Sequence, residues 1–237
     1  MIHDSLVAKL SRFHSVSNAE RDFLGQGFTR VVAYRSGQAI VEEGSGPADS
    51  SLVVEGFAGR VKFLPDGARQ ILAFHIPGDF CDLHSFLLRR MDHGIEALTD
   101  CRIAKMPHHK VKEITDRFPD LTRSLWWDTA LDAAILREWM ISMGRRTAFE
   151  QIGHLLCEML LRLQAVGLSR ENSYELPLSQ EQLGDAFGLS VVHVNRMLQA
   201  LRGARLILTQ GRHVTIPDFA ALQEAVGFDP TYLQPRG

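Results

Sequence analysis

The sequence is poor in cysteine: Cys81, Cys101 and Cys157 are widely separated and form no CxxC pair. An odd, scattered set argues against a disulfide framework and fits a reducing compartment. No stretch approaches the ~20 consecutive apolar residues that cross a bilayer, so no membrane partner is expected. The opening Met1-Ile2-His3-Asp4 shows no basic segment leading into an apolar run, so no secretory signal is read there and a cytoplasmic location is expected. Positive charge is not in excess either: 26 Lys and Arg stand against 28 Asp and Glu, a net charge of −2. Any role with nucleic acid must therefore rest on a local basic patch. Repeats and low-complexity runs are missing. What remains is an ordinary globular mix, 45% hydrophobic and 23% charged over 237 residues, enough chain for about two domains of ~100–150 residues.

Along the chain the pattern changes three times. Residues 1–26 read as helical, with Leu6, Leu10 and Phe13 at helical spacing and Asn18 as a cap before Phe23-Leu24. Residues 27–107 break into short β-rich runs: Thr29–Tyr34, Ala39–Val41, Ser51–Val54, Gly59–Leu64, Gln70–Ile76 and Ile95–Ala97. Glycine and proline punctuate them, Pro65-Asp66-Gly67 as a hairpin turn. Regular short strands of this kind indicate a small barrel or sandwich, and Leu83–Arg90 reads as one short helix within it. From 108 to 143 the chain becomes helical, with Pro119 at a first turn and no further proline or glycine before Gly144. This helix is apolar on more than one side and so needs two covers. The stripe Leu125, Thr129, Ala133, Leu136, Met140 and Met143 has the 3–4 spacing of a coiled-coil seam, and a second copy of the helix is its natural partner. A core helix within one larger domain is the alternative. Gly144 interrupts, a further helix runs to about Val166, and Gly167–Tyr174 reads as a polar connection. The division is a sensor region at 1–117, a dimerisation helix at 118–143 and a C-terminal domain at 144–237.

The most specific signal is Leu178–Arg202. Ser179 with Gln182 three residues on forms a capping box. Gly184 is small where two helices approach, Gly188 supplies a turn with positive φ, and Ser190 caps a second helix whose buried face is Val194, Met197, Leu198 and Leu201. A small residue, a glycine four later and an apolar residue six after that make a helix-turn-helix rather than an ordinary helical hairpin. Leu206–Leu208, Gln210-Gly211-Arg212 and His213–Ile216 then read as a wing. From Ser190 to Ile216 there are four arginines and no acidic residue, which suits phosphate contacts. The candidate double-stranded DNA contacts are Ser179, Gln180, Ser190, Val191, Val192, His193, Asn195, Arg196 and Arg212. Arg196 is the expected base reader, since a guanidinium can grip guanine with two bonds; a surface salt bridge is the alternative. Val191 and Val192 suit thymine methyls, and Ser190, His193 and Arg212 suit phosphate.

With these parts in order, the chain resembles the Crp/Fnr family of bacterial transcription regulators over nearly its full length. The resemblance is carried by Gly37-Gln38-x-Ile40-x-x-Glu43-Gly44, Val54-Glu55-Gly56, Gly67 to Ile71, Pro77-Gly78-Asp79-Phe80, Phe118-Pro119-Asp120 and the helix-turn-helix with its wing. It implies an α+β protein: a jelly-roll-like double-stranded β-helix of cyclic-nucleotide-binding type, a dimerisation helix and a winged helix-turn-helix. It also implies a homodimer on palindromic promoter sites, with RNA polymerase as a partner and no enzymatic activity. The family's glutamate and Arg-Ser or Arg-Thr pair for cyclic AMP are replaced here: Cys81-Asp82-Leu83-His84 follows Phe80, and His93-Gly94 stands at the arginine position. A neutral histidine substitutes poorly for a bidentate guanidinium, which argues against cyclic AMP. No cysteine precedes Cys81, so an N-terminal iron–sulfur cluster is not expected. Val192 stands where the family's recognition helix usually carries glutamate.

The effector is left open. Asp82, His84, His93 and Asp132 are a candidate polar effector or metal site, since Asp/His sets suit divalent ions. The alternative is a bracing network in which Arg89, Arg90 or Arg137 pairs Asp128 and Asp132. Cys81 with His84 weakly suggests haem or redox sensing. Competing functions are a cupin-like metal enzyme, which leaves the wing and the acid-free basic segment unexplained, and a ligand-binding signalling module without DNA binding.

Overall fold

The computed structural model describes residues 3–234. Its contacts divide the chain into two compact units, Met1–Asp132 and Ala133–Gly237. The first unit opens with helices α1 (Asp4–Leu10) and α2 (Asn18–Gly27). The cap of α2 is Ser17 rather than Asn18: Ser17 Oγ accepts from Glu20 N, and the Glu20 carboxylate returns to Ser17 N at 2.8 Å. A reciprocal box of this kind is worth about 1 kcal/mol against an uncapped start.

Strands β1 (Arg30–Tyr34), β2 (Ala39–Val41), β3 (Asp49–Glu55), β4 (Ala58–Phe63), β5 (Arg69–His75), β6 (Gly94–Ala97) and β7 (Cys101–Pro107) follow. They form two antiparallel sheets, β1-β7-β3 and β2-β6-β4-β5. The expected hairpin is present. Phe63 pairs with Arg69, Gly67 N donates to Leu64 O at 2.9 Å, and Asp66 Oδ1 accepts from Ala68 N at 3.0 Å. Strand β7 was not expected from the sequence, yet it is the central strand of its sheet. Its residues Arg102 and Lys105 obscure the pattern. Lys105 is nevertheless buried, its Nζ donating to Ser51 Oγ at 2.8 Å and lying over the Tyr34 ring. The helix read at Leu83–Arg90 is a single 3-10 turn, Leu83–Phe86.

Two apolar clusters stand out among the described residues of this unit. One, around Ile40, Val53, Met91, Ile95 and Ile103, lies in the barrel. The other gathers Leu6 and Leu10 of α1, Leu24, Leu52, Met106, Val111 and Ile114 of α3 (His108–Arg117), and Leu121 and Leu125 of α4 (Pro119–Arg145). At ~25 cal/mol per Å² of apolar surface, each fully buried leucine contributes about 2–3 kcal/mol.

Pro119 occupies the first position of α4, as expected, but Gly144 does not end the helix, which continues to Arg145. Thr147, within the Ser142–Thr147 stretch where the sequence suggests a break, caps α5 (Ala148–Ala165) through a capping box with Glu150. In the second unit α5 is buried along Gln151–Leu160. Around it lie β8 (Ser169–Arg170), β9 (Ser173–Glu175), α6 (Gln180–Phe187), α7 (Val191–Gly203), β10 (Leu208–Gln210), β11 (His213–Thr215) and α8 (Phe219–Val226). The supposed polar connection Gly167–Tyr174 is a hairpin. It joins the wing in one sheet, β10-β11-β9-β8. Glu158 anchors this core although it is fully buried. Its carboxylate accepts from Trp139 Nε1 at 3.1 Å, Tyr232 Oη at 2.9 Å and Arg162 at 3.0 Å. Three donors offset a desolvation cost that nonetheless raises the Glu158 pKa.

Candidate nucleic-acid interface

Local chemistry builds the C-terminal motif. Ser179 Oγ accepts from Gln182 N at 3.1 Å and Gln182 Oε1 accepts from Ser179 N at 2.8 Å, starting α6. Gly188 ends it with φ +68°, and Leu189 N donates to Gly184 O at 3.0 Å across the turn. A Cβ at Gly184 would sit 2.3 Å from the Leu189 carbonyl oxygen, so any side chain there would force the two helices apart. Ser190 Oγ then caps α7 by accepting from His193 N at 3.2 Å. Val194 and Leu201 are buried against the unit's core, with Met197 and Leu198 half-buried beside them.

This seating sets what α7 shows to solvent. Val191 and Val192 are exposed, Val192 by 79%, and Arg196 is exposed one turn on. His193 and Asn195 are half-buried at the margins. Ser179 and Ser190 are exposed, and since their Oγ atoms only accept as caps, each keeps an O–H donor to offer a phosphate beside the helix N-terminus it begins. Gln180 is half-buried at the first position of α6. Arg212 is exposed at the tip of the wing, beside Gly211, where Gln210 pairs with His213. Arg202 is tied to the wing through Thr209 at 3.1 Å, which links helix and hairpin; among the described residues Arg196, near the leading end of α7, has no such tie.

The candidate effector residues do not converge as a quartet. Asp82 turns into the barrel wall: its oxygens accept from Ser51 N at 2.5 Å and Ser51 Oγ at 2.9 Å, with Lys105 nearby. Burial raises its pKa to about 6. Asp132 pairs with Arg60 of β4 at 2.9 Å, not with Arg89, Arg90 or Arg137. Its neighbour Asp128 is bound by Lys9 at 2.5 Å, and Lys9 also holds Asp79 at 2.5 Å. The bracing alternative thus describes the aspartates, with different cations. His84 and His93 do meet, ring centroids 5.4 Å apart, and the carboxylate beside them is Asp92, which sequence reasoning passed over although it adjoins His93. Burial, and then the Arg60 charge, lower the pKa of both histidines, His93 to about 4. Arg60 is already neutralised by Asp132 and His93 is a neutral imidazole, so neither is a free cation for the anionic oxygens of a cyclic phosphodiester, and these two do not fit the group.

One residue of the proposed dimer seam is misplaced. Leu125 is 4% exposed inside the N-terminal cluster. Trp126, 74% exposed, takes its place on the outer face of α4. Thr129, Met140 and Met143 are exposed, and Ala133 and Leu136 half-buried.

Residues 154–225 match the model of the Crp-like helix-turn-helix domain, and residues 31–118 match that of the cyclic nucleotide-binding domain. The chain is 30% identical over 201 residues to the transcriptional activator protein FnrL of Cereibacter sphaeroides, covering 83% of this chain and 80% of that one. It belongs to the Crp/Fnr family of transcription regulators. Among its relatives, the nitrogen fixation regulation protein FixK of Bradyrhizobium diazoefficiens is 31% identical over 189 residues, 77% of this chain and 76% of that one. The solved structure of FixK2 from Bradyrhizobium japonicum superposes with a TM-score of 0.73 at 28% identity, covering 82% of this chain and 96% of that one. As a Crp/Fnr member the chain is a DNA-binding transcription regulator and not an enzyme, and the cupin-like alternative is set aside. No described helix is long and apolar enough to cross a membrane.

Proposed function

We propose that the protein acts as a homodimer that reads a palindromic promoter site with α7 and is tuned by an event at its barrel. The observation that carries this reading is the exposed face of α7. Val191, Val192 and Arg196 stand out of a helix whose opposite face is buried, on a segment with four arginines and no acid. Val192 and Val191 are placed to meet thymine methyls and Arg196 to meet guanine. Arg212, His193 and the helix N-termini capped by Ser179 and Ser190 face the phosphates, with Gln180 and Asn195 at the margins.

The dimer reading rests on α4. Trp126, Thr129, Ala133, Leu136, Met140 and Met143 follow one another at intervals of 3 and 4 residues, and the exposed ones among them lack a cover among the described residues. Packing against the same stripe of a second copy covers them and pairs two recognition helices. Half-sites one DNA turn apart, about 34 Å, then match the dimer's symmetry. In this division residues 1–117 sense, 118–143 dimerise and 144–237 bind DNA. RNA polymerase is the partner through which such a regulator acts, and the cytoplasm is where it meets both. A charge placed on the seam tests the reading. Met140→Glu should sediment as a monomer and lose affinity for a palindromic fragment while keeping its fold by circular dichroism. A dimer that survives the substitution would remove α4 as the interface.

A further inference from the structure

His84 sits in the 3-10 turn Leu83–Phe86 and His93 lies immediately before β6, so the two rings close the ends of one loop. Asp92 Oδ1 is 2.8 Å from His93 Nδ1. An ionised carboxylate only accepts, so Nδ1 carries the proton and the lone pair of the neutral ring is on Nε2. Among the described residues that Nε2 has no hydrogen-bond partner, and it is buried in a side chain that is 6% exposed. A buried acceptor left unmatched calls for an occupant. One ligand atom from each of His84, Asp92 and His93 lies within 4.8 Å of the others. Bonds of about 2.0–2.2 Å to a tetrahedral ion need those atoms roughly 3.5 Å apart. Half-buried His84 has the freedom to bring a ring nitrogen to that distance from His93 Nε2, while Asp92 stays behind the His93 ring on Nδ1.

We infer that His84, Asp92 and His93 form a binding site for a divalent transition-metal ion, with two imidazoles as nitrogen ligands and Asp92 as the carboxylate that holds the His93 tautomer and completes the charge. Imidazole donors select zinc, nickel, cobalt or copper over magnesium and calcium. A carboxylate behind a ligating histidine is the arrangement that orients such rings. The nearby opposing charge, Arg60, is compensated by Asp132 at 2.9 Å. A bound ion would clip the 84–93 loop at both ends, next to the pair through which β4 contacts α4.

The test uses full-length, tag-free protein stripped with a chelator and titrated with Co²⁺ by visible absorption, then with Zn²⁺ in competition. Wild type should bind one Co²⁺ per chain and release it to Zn²⁺, and its thermal midpoint should rise with Zn²⁺. His84→Ala and the near-isosteric, exposed Asp92→Asn should each weaken binding by about 10–100-fold, while His109→Ala on the exposed face of α3 should not. Asp92→Asn keeps the test informative if His93→Ala does not fold. Wild-type protein that binds no Co²⁺, or binding unchanged by both His84→Ala and Asp92→Asn, overturns the site. Affinity of the stripped protein for a palindromic fragment, measured alongside, decides the proposed reading of promoter DNA separately.

Discussion

Removing the Lys9 ammonium should destabilise the N-terminal unit severely, because it stands between two buried carboxylates. Lys9 Nζ lies 2.5 Å from Asp79 Oδ1 and 2.5 Å from Asp128 Oδ1, and both acids are 6% exposed. Burial alone would lower the lysine's pKa, but the Asp128 and Asp79 charges outweigh it and raise the pKa above its ordinary value. The contacts join α1, the turn after β5 and α4. In Lys9→Met the two carboxylate oxygens, at most about 5 Å apart, would repel by roughly 3 kcal/mol at an effective dielectric constant near 20. Breaking a buried pair costs about 3–5 kcal/mol in comparable cases, so a loss of that size is expected at pH 7.5 in urea denaturation followed by circular dichroism and by the fluorescence of Trp127, which stacks on Phe13. The sign of the pH dependence follows. With the cation gone, a native carboxylate binds a proton more readily than in the unfolded chain, so the loss should shrink as the pH falls toward 5. Lys9→Met with Asp128→Asn should recover part of it. A loss below about 1 kcal/mol, or no recovery in the double variant, would refute the reasoning that this cation is a structural charge clamp.

Two further outcomes follow from burial. His154 is 2% exposed among Phe228 and Tyr232, and burial, with Arg146 nearby, lowers its pKa to about 3. The unfolded chain takes up this proton near pH 6.5 and the folded one does not, so stability should fall by about 2 kcal/mol between pH 7.5 and pH 5. His154→Phe should lack that component, and identical pH profiles for the two proteins would contradict the assignment. Cys81, Cys101 and Cys157 are all buried and their pKa values are raised, Cys157 to about 12 by burial. A thiol reagent at pH 8 should therefore label them only after denaturation, and rapid labelling of Cys81 in native protein would reopen redox sensing.

The parts legible in the sequence are those whose chemistry is local. The helix-turn-helix is spelled out within a few residues by the Ser179–Gln182 box, the Gly184 and Gly188 spacing and the Ser190 cap, and each appears in the structure. The hairpin at Pro65-Asp66-Gly67 is equally local. What stayed hidden depends on distant partners. Strand β7 carries a lysine whose charge is accommodated by Ser51, Asp82 and the Tyr34 ring from elsewhere in the barrel. Asp82 stands two residues from His84 in the sequence, but hydrogen bonds to Ser51 draw it the other way. Leu125 fitted the heptad spacing as well as Trp126 does; only packing against α1 and α3 decides which of them faces inward. The second hairpin, β8–β9, has strands of two and three residues, too short for periodicity to show.

In the proposed complex α7 reads bases and the wing holds the backbone. The direct measurement is the affinity of wild type, Arg196→Ala and Arg212→Ala for a palindromic target and a scrambled duplex across a range of salt concentrations. Arg196→Ala should lose about 1–3 kcal/mol of discrimination between the two DNAs. Arg212→Ala should weaken both equally and flatten the salt slope by about one unit. Full discrimination retained by Arg196→Ala would contradict the account.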